Sequence, residues 1–319
     1  MMDHTGSGGN GMARTRAFLA RMGLPEGDLH HRPDSPLRFP DGGQWRVEIP
    51  SVEGPAALRA VFAEADRLGV PVHRVSQGSG VMLLTDDELD EMREIAAPRG
   101  IEISLFVGPR AAWDTGAMAS SPAGRIVGPK VRGTDQLVQA VEEVHRACAH
   151  GIESVLVTDD GLLAVLGEMR AAGTLPAGLI LKGSVMLGSA NPASIRLLER
   201  LGLTTFNAPT DLSLAQLAAI RAATTMPLDI YVESPDDIGG FIRHYEIAEI
   251  VRVCAPVYLK FGLRNAPNIY PSGSHLEATA VALTKERLRR ARIGLDLLAR
   301  LAPEAVMSPL PAAATVAAG

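Results

Sequence analysis

At 319 residues the chain is long enough for one large domain, and with 46% apolar but only 4% aromatic residues it must build its core from Leu, Val, Ile and Ala. A formal net charge of -5 gives no electrostatic footprint for nucleic acid. No apolar run reaches the roughly 18 residues that would point to a membrane span, so a cytoplasmic protein with neither kind of partner is expected.

The opening MMDHTGSGGNGM is Gly-rich, lacks the apolar stretch of a secretory leader, and predicts a disordered segment over 1–12. Residues 13–44 read as a short helix (ARTRAFLARM) and a turn-rich loop carrying the adjacent His30 and His31, which are expected to be solvated. From Trp45 the pattern becomes regular. RVEIP is the first strand, and PAALRAVFAEADRLG is a helix closed by Gly69. VPVHRV is the second strand, with a helix opened by the capping box Thr85-Asp86-Asp87-Glu88. IEISLFV is the third.

The spacing then doubles, because the segment from Gly108 to Gly133 is inserted before IESVLVT, the fourth strand; long insertions of this kind form lids, binding loops or disordered inserts. GLILK, TTFN, PLDIYVE and VYLKF are strands five to eight. Asn191-Pro192 and Ser213 with Gln216 mark helix starts, and Ser234-Pro235-Asp236-Asp237 reads as another. A last helix runs from about Leu276 to Leu301. Its basic run KERLRRAR is read as a solvated face or a subunit contact, which leaves a homo-oligomer open. PLPAAATVAAG closes the chain, and 303–319 is expected to be a loose tail.

Eight strand–helix units predict an α/β fold of one domain, a (β/α)8 TIM barrel over 45–302, with its chemistry at the carboxyl ends of the strands. The two cysteines, Cys148 and Cys254, lie late in helical patterns without CxxC spacing, and are read as free thiols.

The stretches VEIPSVEGP, HRVSQGSGVML, SLFVGPRAAWDTGA, FNAPTDLSLAQLAAIRAAT, LDIYVESPDDIGGF and YLKFGLRNAPNIYPSGSH resemble actinobacterial proteins of the U32 peptidase-like family. The resemblance runs from Arg46 to Leu298 and implies a barrel and a hydrolase. Some members of that family are linked to peptide cleavage. Others support hydroxylation with iron–sulfur clusters held by four cysteines, a set this chain lacks, so no cysteine-ligated cluster is expected here.

Strands send alternate side chains to opposite faces, so polar residues inside apolar strands are expected to face the barrel axis. Near the carboxyl ends this selects Glu48, His73, Ser104, Lys182, Asn207, Tyr231, Glu233, Tyr258 and Lys260. Strands seven, eight, one and two are neighbours once the ring closes, so Glu233, Lys260, Glu48 and His73 are expected to form an arc. With Lys182 they are the candidate catalytic groups, acting by acid–base chemistry on a small or peptide-like polar substrate bearing a carboxylate. Alternatives are an imine on Lys260 or Lys182, a divalent metal on Glu48, His73 and Glu233, or a non-catalytic binding barrel. No HxH or HExxH spacing supports the metal, and no G-x-S-x-G elbow supports a serine nucleophile. Substrate contacts are expected from Tyr231, Tyr258 and Asn207. Arg264 and Asn268 in the eighth loop, Arg110 in the insertion and Arg74 beside the turn Gln77-Gly78-Ser79-Gly80 complete that set. The turn's backbone N–H groups are suited to an anion.

Overall fold

In a computed structural model of the chain, residues 12–109 and 121–310 are described. The strands β1 (Trp45–Pro50), β2 (Arg74–Gln77), β3 (Glu102–Phe106) and β4 (Ser154–Val157) continue into β5 (Ile180–Gly183), β6 (Thr205–Asn207), β7 (Leu228–Glu233) and β8 (Val257–Phe261). They form a closed barrel in chain order. Parallel pairing of β8 with β1 shuts the ring, with Lys260 opposite Glu48. The chain is a (β/α)8 barrel.

The helices are α1 (Ala13–Arg21), α2 (Pro55–Leu68), α3 (Asp86–Ala96), α4 (Gly133–Ala149), α5 (Asp160–Ala171), α6 (Pro192–Arg200), α7 (Leu214–Arg221), α8 (Ile247–Cys254) and α9 (Glu277–Leu301). Local sequence explains their ends. Gly69 caps α2 in the left-handed conformation at φ 63. Thr85 and Glu88 close a reciprocal capping box on α3, as do Asn191 with Ser194 on α6 and Ser213 with Gln216 on α7. The helix start expected at Ser234 is corrected: only a short turn forms over Asp236–Ile238, and α8 begins at Ile247.

Alternation along the strands divides the molecule into two layers. Val47, Ile49, Val75, Leu105, Val155, Leu181, Phe206, Ile230 and Leu259 face the helices in one continuous apolar core. The opposite faces fill the barrel. Among the described residues no helix is long and apolar enough to cross a membrane.

The first part of the tail expected to be loose, through Ser308, is docked. Met307 bridges to Trp45, the Val306 carbonyl accepts from Gln44 N at 2.7 Å, and Ser308 N donates to the Trp45 carbonyl at 3.0 Å. Gly43 is needed for this passage, because a Cβ there would lie 2.5 Å from Ser308 N.

Candidate functional site

The barrel interior is charged. Register, alternation and contacts place Glu48, Ser104, Lys182 and Asp229 of β1, β3, β5 and β7 in one layer; Ser76, Leu156, Asn207 and Lys260 of the even strands lie toward the carboxyl end. Interiors of this fold normally stack layers of four from alternate strands, dominated by branched apolar side chains. Here the odd-strand layer carries two carboxylates, an ammonium and a hydroxyl.

Lys182 Nζ donates to Glu48 Oε2 at 2.8 Å and to Asp229 Oδ2. Lys260 Nζ lies 3.0 Å from Glu48 Oε1, which also accepts from Ser76 Oγ at 2.8 Å. Arg74 reaches Glu48 at 3.3 Å and Asp229 at 3.1 Å, and pairs with Glu102 at 2.7 Å. Thr205 Oγ1 donates to Asp229 Oδ1 at 2.9 Å. With its amide turned to satisfy both neighbours, Asn207 accepts from Lys260 Nζ at 2.9 Å and donates to the Asp229 carbonyl at 3.1 Å. The rings of Tyr231 and Tyr258 carry the cations: Lys260 Nζ stands 4.5 Å from the first centroid, the Arg74 guanidinium 3.6 Å from the second. Three cations, Arg74, Lys182 and Lys260, thus meet three carboxylates, Glu48, Asp229 and Glu102.

Burial opposes ionisation of Glu48, but Lys182, Lys260 and Arg74 outweigh it and hold its carboxyl well below the usual range. Burial lowers the Lys182 ammonium despite Asp229 and Glu48. Burial, reinforced by Glu48, raises Tyr231 and keeps its hydroxyl protonated. Ser104 and Ser154 sit opposite each other on β3 and β4, and their buried hydroxyls have no partner.

The expected arc is corrected at both ends. His73 precedes β2 and lies at the amino end of the barrel, where Nδ1 accepts from Val47 N at 3.1 Å and Nε2 faces the Ser308 carbonyl at 3.0 Å. Burial pulls its pKa down to about 4. Glu233 is buried but turned out of the ring, 3.3 Å from His244 Nε2 and 3.4 Å from Arg290 on α9, while its Oε1 accepts from Arg264 N at 3.0 Å. These contacts outweigh burial and lower its pKa. Glu48, His73 and Glu233 therefore share no metal site, and the described residues contain no group of three or more His, Cys, Asp or Glu placed to hold one.

Arg74, expected beside the turn after strand two, instead begins β2 and points inward. Tyr258 faces the amino end, with its hydroxyl accepting from Arg46 at 3.0 Å. Arg264 is an exposed partner of Asp236 at 3.7 Å, and Asn268 accepts from Tyr270 N at 2.9 Å within its own loop. Neither reaches the interior. Arg110 lies outside the described residues.

At the carboxyl-end rim, Gly78 N and Ser79 N do hold an anion, but it is the chain's own Glu53, at 2.8 and 3.2 Å. Burial raises the Glu53 pKa against these bonds. Gly78 is required here, since a Cβ would sit 2.5 Å from the Tyr270 ring. Arg287 reaches in from α9 and donates to the Ser51 carbonyl at 3.2 Å; its Nε has no partner.

Asp229, Glu102, Glu53 and Arg287 are the residues that sequence reasoning missed. Asp229 had a signal: it lies in LDIYVE in phase with Tyr231. Arg287 had one too, because it shares the stripe of Ala280, Thr284, Ala291, Gly294 and Leu298 that α9 buries. The run KERLRRAR is therefore not wholly solvated.

No family model matches the chain, and no curated protein matches it. Among solved structures it is similar to a U32 peptidase at 17% identity and TM-score 0.37, over 61% of this chain and 72% of that one. It is similar to oxaloacetate acetylhydrolase at 14% identity and TM-score 0.45, over 78% and 82%. It is also similar to a 3-hexulose-6-phosphate synthase at 14% identity and TM-score 0.43, over 77% and 99%. The fold itself rests on the closed ring of eight parallel strands.

Proposed function

We propose that the chain is a barrel enzyme that binds a small, polar, carboxylate-bearing substrate at the carboxyl ends of its strands, with Lys260 as the group that meets the substrate's negative charge. The observation that supports this reading is the ionised layer of Glu48, Lys182 and Asp229 where this fold otherwise packs branched apolar residues. Replacing a buried ion pair by apolar residues is often neutral or stabilising, so stability alone gives little reason to keep one.

Lys260 stands on the carboxyl-end side of the network. Glu48 pairs with it, Asn207 and the Tyr231 ring orient it, and the protonated Tyr231 hydroxyl is a second donor for an oxyanion. Fixed donors of this kind suit proton movement next to a carboxylate or carbonyl. An imine is disfavoured because both lysines contact Glu48. A hydrolytic role, as the U32 resemblance implies, would use the same oxyanion donors.

The test is a thermal-shift panel of hydroxy-, keto- and dicarboxylic acids against their amides, run on the full chain and on Lys260→Met. At least one acid raises the Tm of the parent, its amide does not, and the variant, which retains Lys182 and Arg74 around Glu48, shows no shift with that acid. Equal shifts with acid and amide, or an undiminished shift in Lys260→Met, would overturn the reading.

A further inference from the structure

Lys260 is 1% and Tyr231 7% exposed, so no substrate meets the ammonium while its cover stays in place. Over the β8–β1 sector of the mouth runs the eighth loop. Residues 262–273 lead from β8 to the short turn before α9, and none lies in a helix or strand. One end is tied to β7 and the loop after it. Gly262 N donates to the Glu233 carbonyl at 2.8 Å, Arg264 N to Glu233 Oε1 at 3.0 Å and Asn265 N to the Asp236 carboxylate. At Asn265 the backbone turns through the left-handed region, at φ 56, a conformation that Asn tolerates better than most residues. The other end is tied to the loops after β1 and β2. The Tyr270 and Ser51 hydroxyls share a hydrogen bond, and Ser272 N donates to Ser79 Oγ at 2.8 Å.

The loop thus spans from the rim at β7 to the rim at β1 and β2, and the strands that carry Lys260 and Glu48, β8 and β1, lie within that span. Leu263 and Ile269 on the loop are buried, yet neither belongs to the apolar core between strands and helices. From Ala266 to Ile269 no hydrogen bond reaches another part of the chain among the described residues. A crevice of about 40 Å³ lined by Glu53, Gln77 and Ser272 follows the seam between the far end of the loop and the rim. Segments with few hydrogen bonds and no regular structure open at lower free energy than the strands beside them.

We propose that residues 262–273 form a lid over Lys260, hinged where the loop leaves β8 beside Glu233 and latched at its far end by the Tyr270–Ser51 and Ser272–Ser79 bonds. The lid rests on the reading of Lys260 as the group that meets the substrate, and says how that group is reached. Glu53 is a positioning residue of the latch: by accepting from Gly78 N and Ser79 N it fixes the turn that presents Ser79 Oγ to Ser272, while Gly78 leaves room for the Tyr270 ring. Opening breaks the two latch bonds. The bonds to Glu233 and Asp236 and the ladders of the barrel persist.

The experiment is brief acetylation of the full chain with acetic anhydride, read lysine by lysine by peptide mass spectrometry. Lys285 is exposed and sets the reference rate; Lys182, fully buried within the barrel, reports any loosening of the barrel itself. Tyr270→Phe and Ser79→Ala each remove one latch bond. In each, Lys260 is labelled about three- to tenfold faster than in the parent, relative to Lys285, and Lys182 stays unlabelled. An unchanged Lys260 rate in either variant, or Lys182 rising together with Lys260, would overturn the lid. The labelling needs no ligand, so failure of the acid panel and failure of the lid are read separately.

Discussion

The two faces of the same eight strands obey opposite rules. Outward, Val47, Ile49, Leu105, Leu181, Phe206 and Leu259 bury aliphatic and aromatic surface against the helices. Inward, Glu48, Ser104, Lys182 and Asp229 occupy equally buried positions with ions and a hydroxyl. The outer layer is tolerant of repacking and supplies the hydrophobic stabilisation, at roughly 25 cal/mol per Å² of apolar surface buried. The inner layer is held by mutual charge balance, so each member is secure only while the others remain. The lesson is that full burial marks neither a residue's role nor its replaceability; what decides is whether its neighbours can stand without it.

Removing one charge is the harshest way to probe this contrast. Glu48→Ala strips Lys182, Lys260 and Arg74 of a shared partner, and breaking a buried ion pair in this way costs about 3–5 kcal/mol. Equilibrium urea unfolding measures it; a loss under about 1 kcal/mol would mean that the interior is not charge-locked.

A gentler perturbation acts at the barrel floor through pH. The His73 pKa is about 4 in the folded chain, against 6.5 when unperturbed. Because the folded value is depressed, its contribution to stability is complete above pH 6.5 and falls away as the pH drops toward about 4. The loss is of order 3 kcal/mol and levels off below that. Urea midpoints between pH 8 and 4 show the decline, and His73→Asn flattens it; a parallel decline in the variant would assign the loss to other groups.

The smallest effect is expected from the boldest change. Replacing Glu48, Lys182, Asp229 and Lys260 together by Leu, Met, Leu and Met leaves Arg74 with Glu102, and stability stays within about 1–2 kcal/mol of the parent. The acid-dependent thermal shift disappears. A chain that unfolds instead would give the interior a structural necessity that the comparison denies it.

Much of this was legible in the sequence, for identifiable reasons. Alternating patterns mark all eight strands, and the boxes at Thr85 and Ser213 and the N-cap at Asn191 stand in the order of the side chains. Lys182, Lys260 and Glu48 were recognisable as interior because each interrupts an apolar run. What alternation cannot give is height and local irregularity. β2 starts at Arg74, the fifth residue of VPVHRV, which leaves His73 on the floor. Tyr231 and Glu233 are in phase, yet a register shift between them turns Glu233 outward to His244 and Arg290. Asp229 escapes a reading of strand ends because it is the second residue of β7, well below the barrel's carboxyl end. Arg287 is hidden in a basic run whose other basic members, Lys285, Arg289, Arg290 and Arg292, are not buried.

The docking of Met307 and Ser308 against β1 bears on how the molecule is made. Trp45 waits more than 250 positions for its second backbone neighbour, Arg46 waits as long for Ser308, and His73 waits 235. During synthesis from the amino end, the early strands leave the ribosome with the base of the ring unsealed. Closure is postponed until residues 305–308 have emerged, and a chain shorter than that is left open at the side where its first and last strands should join.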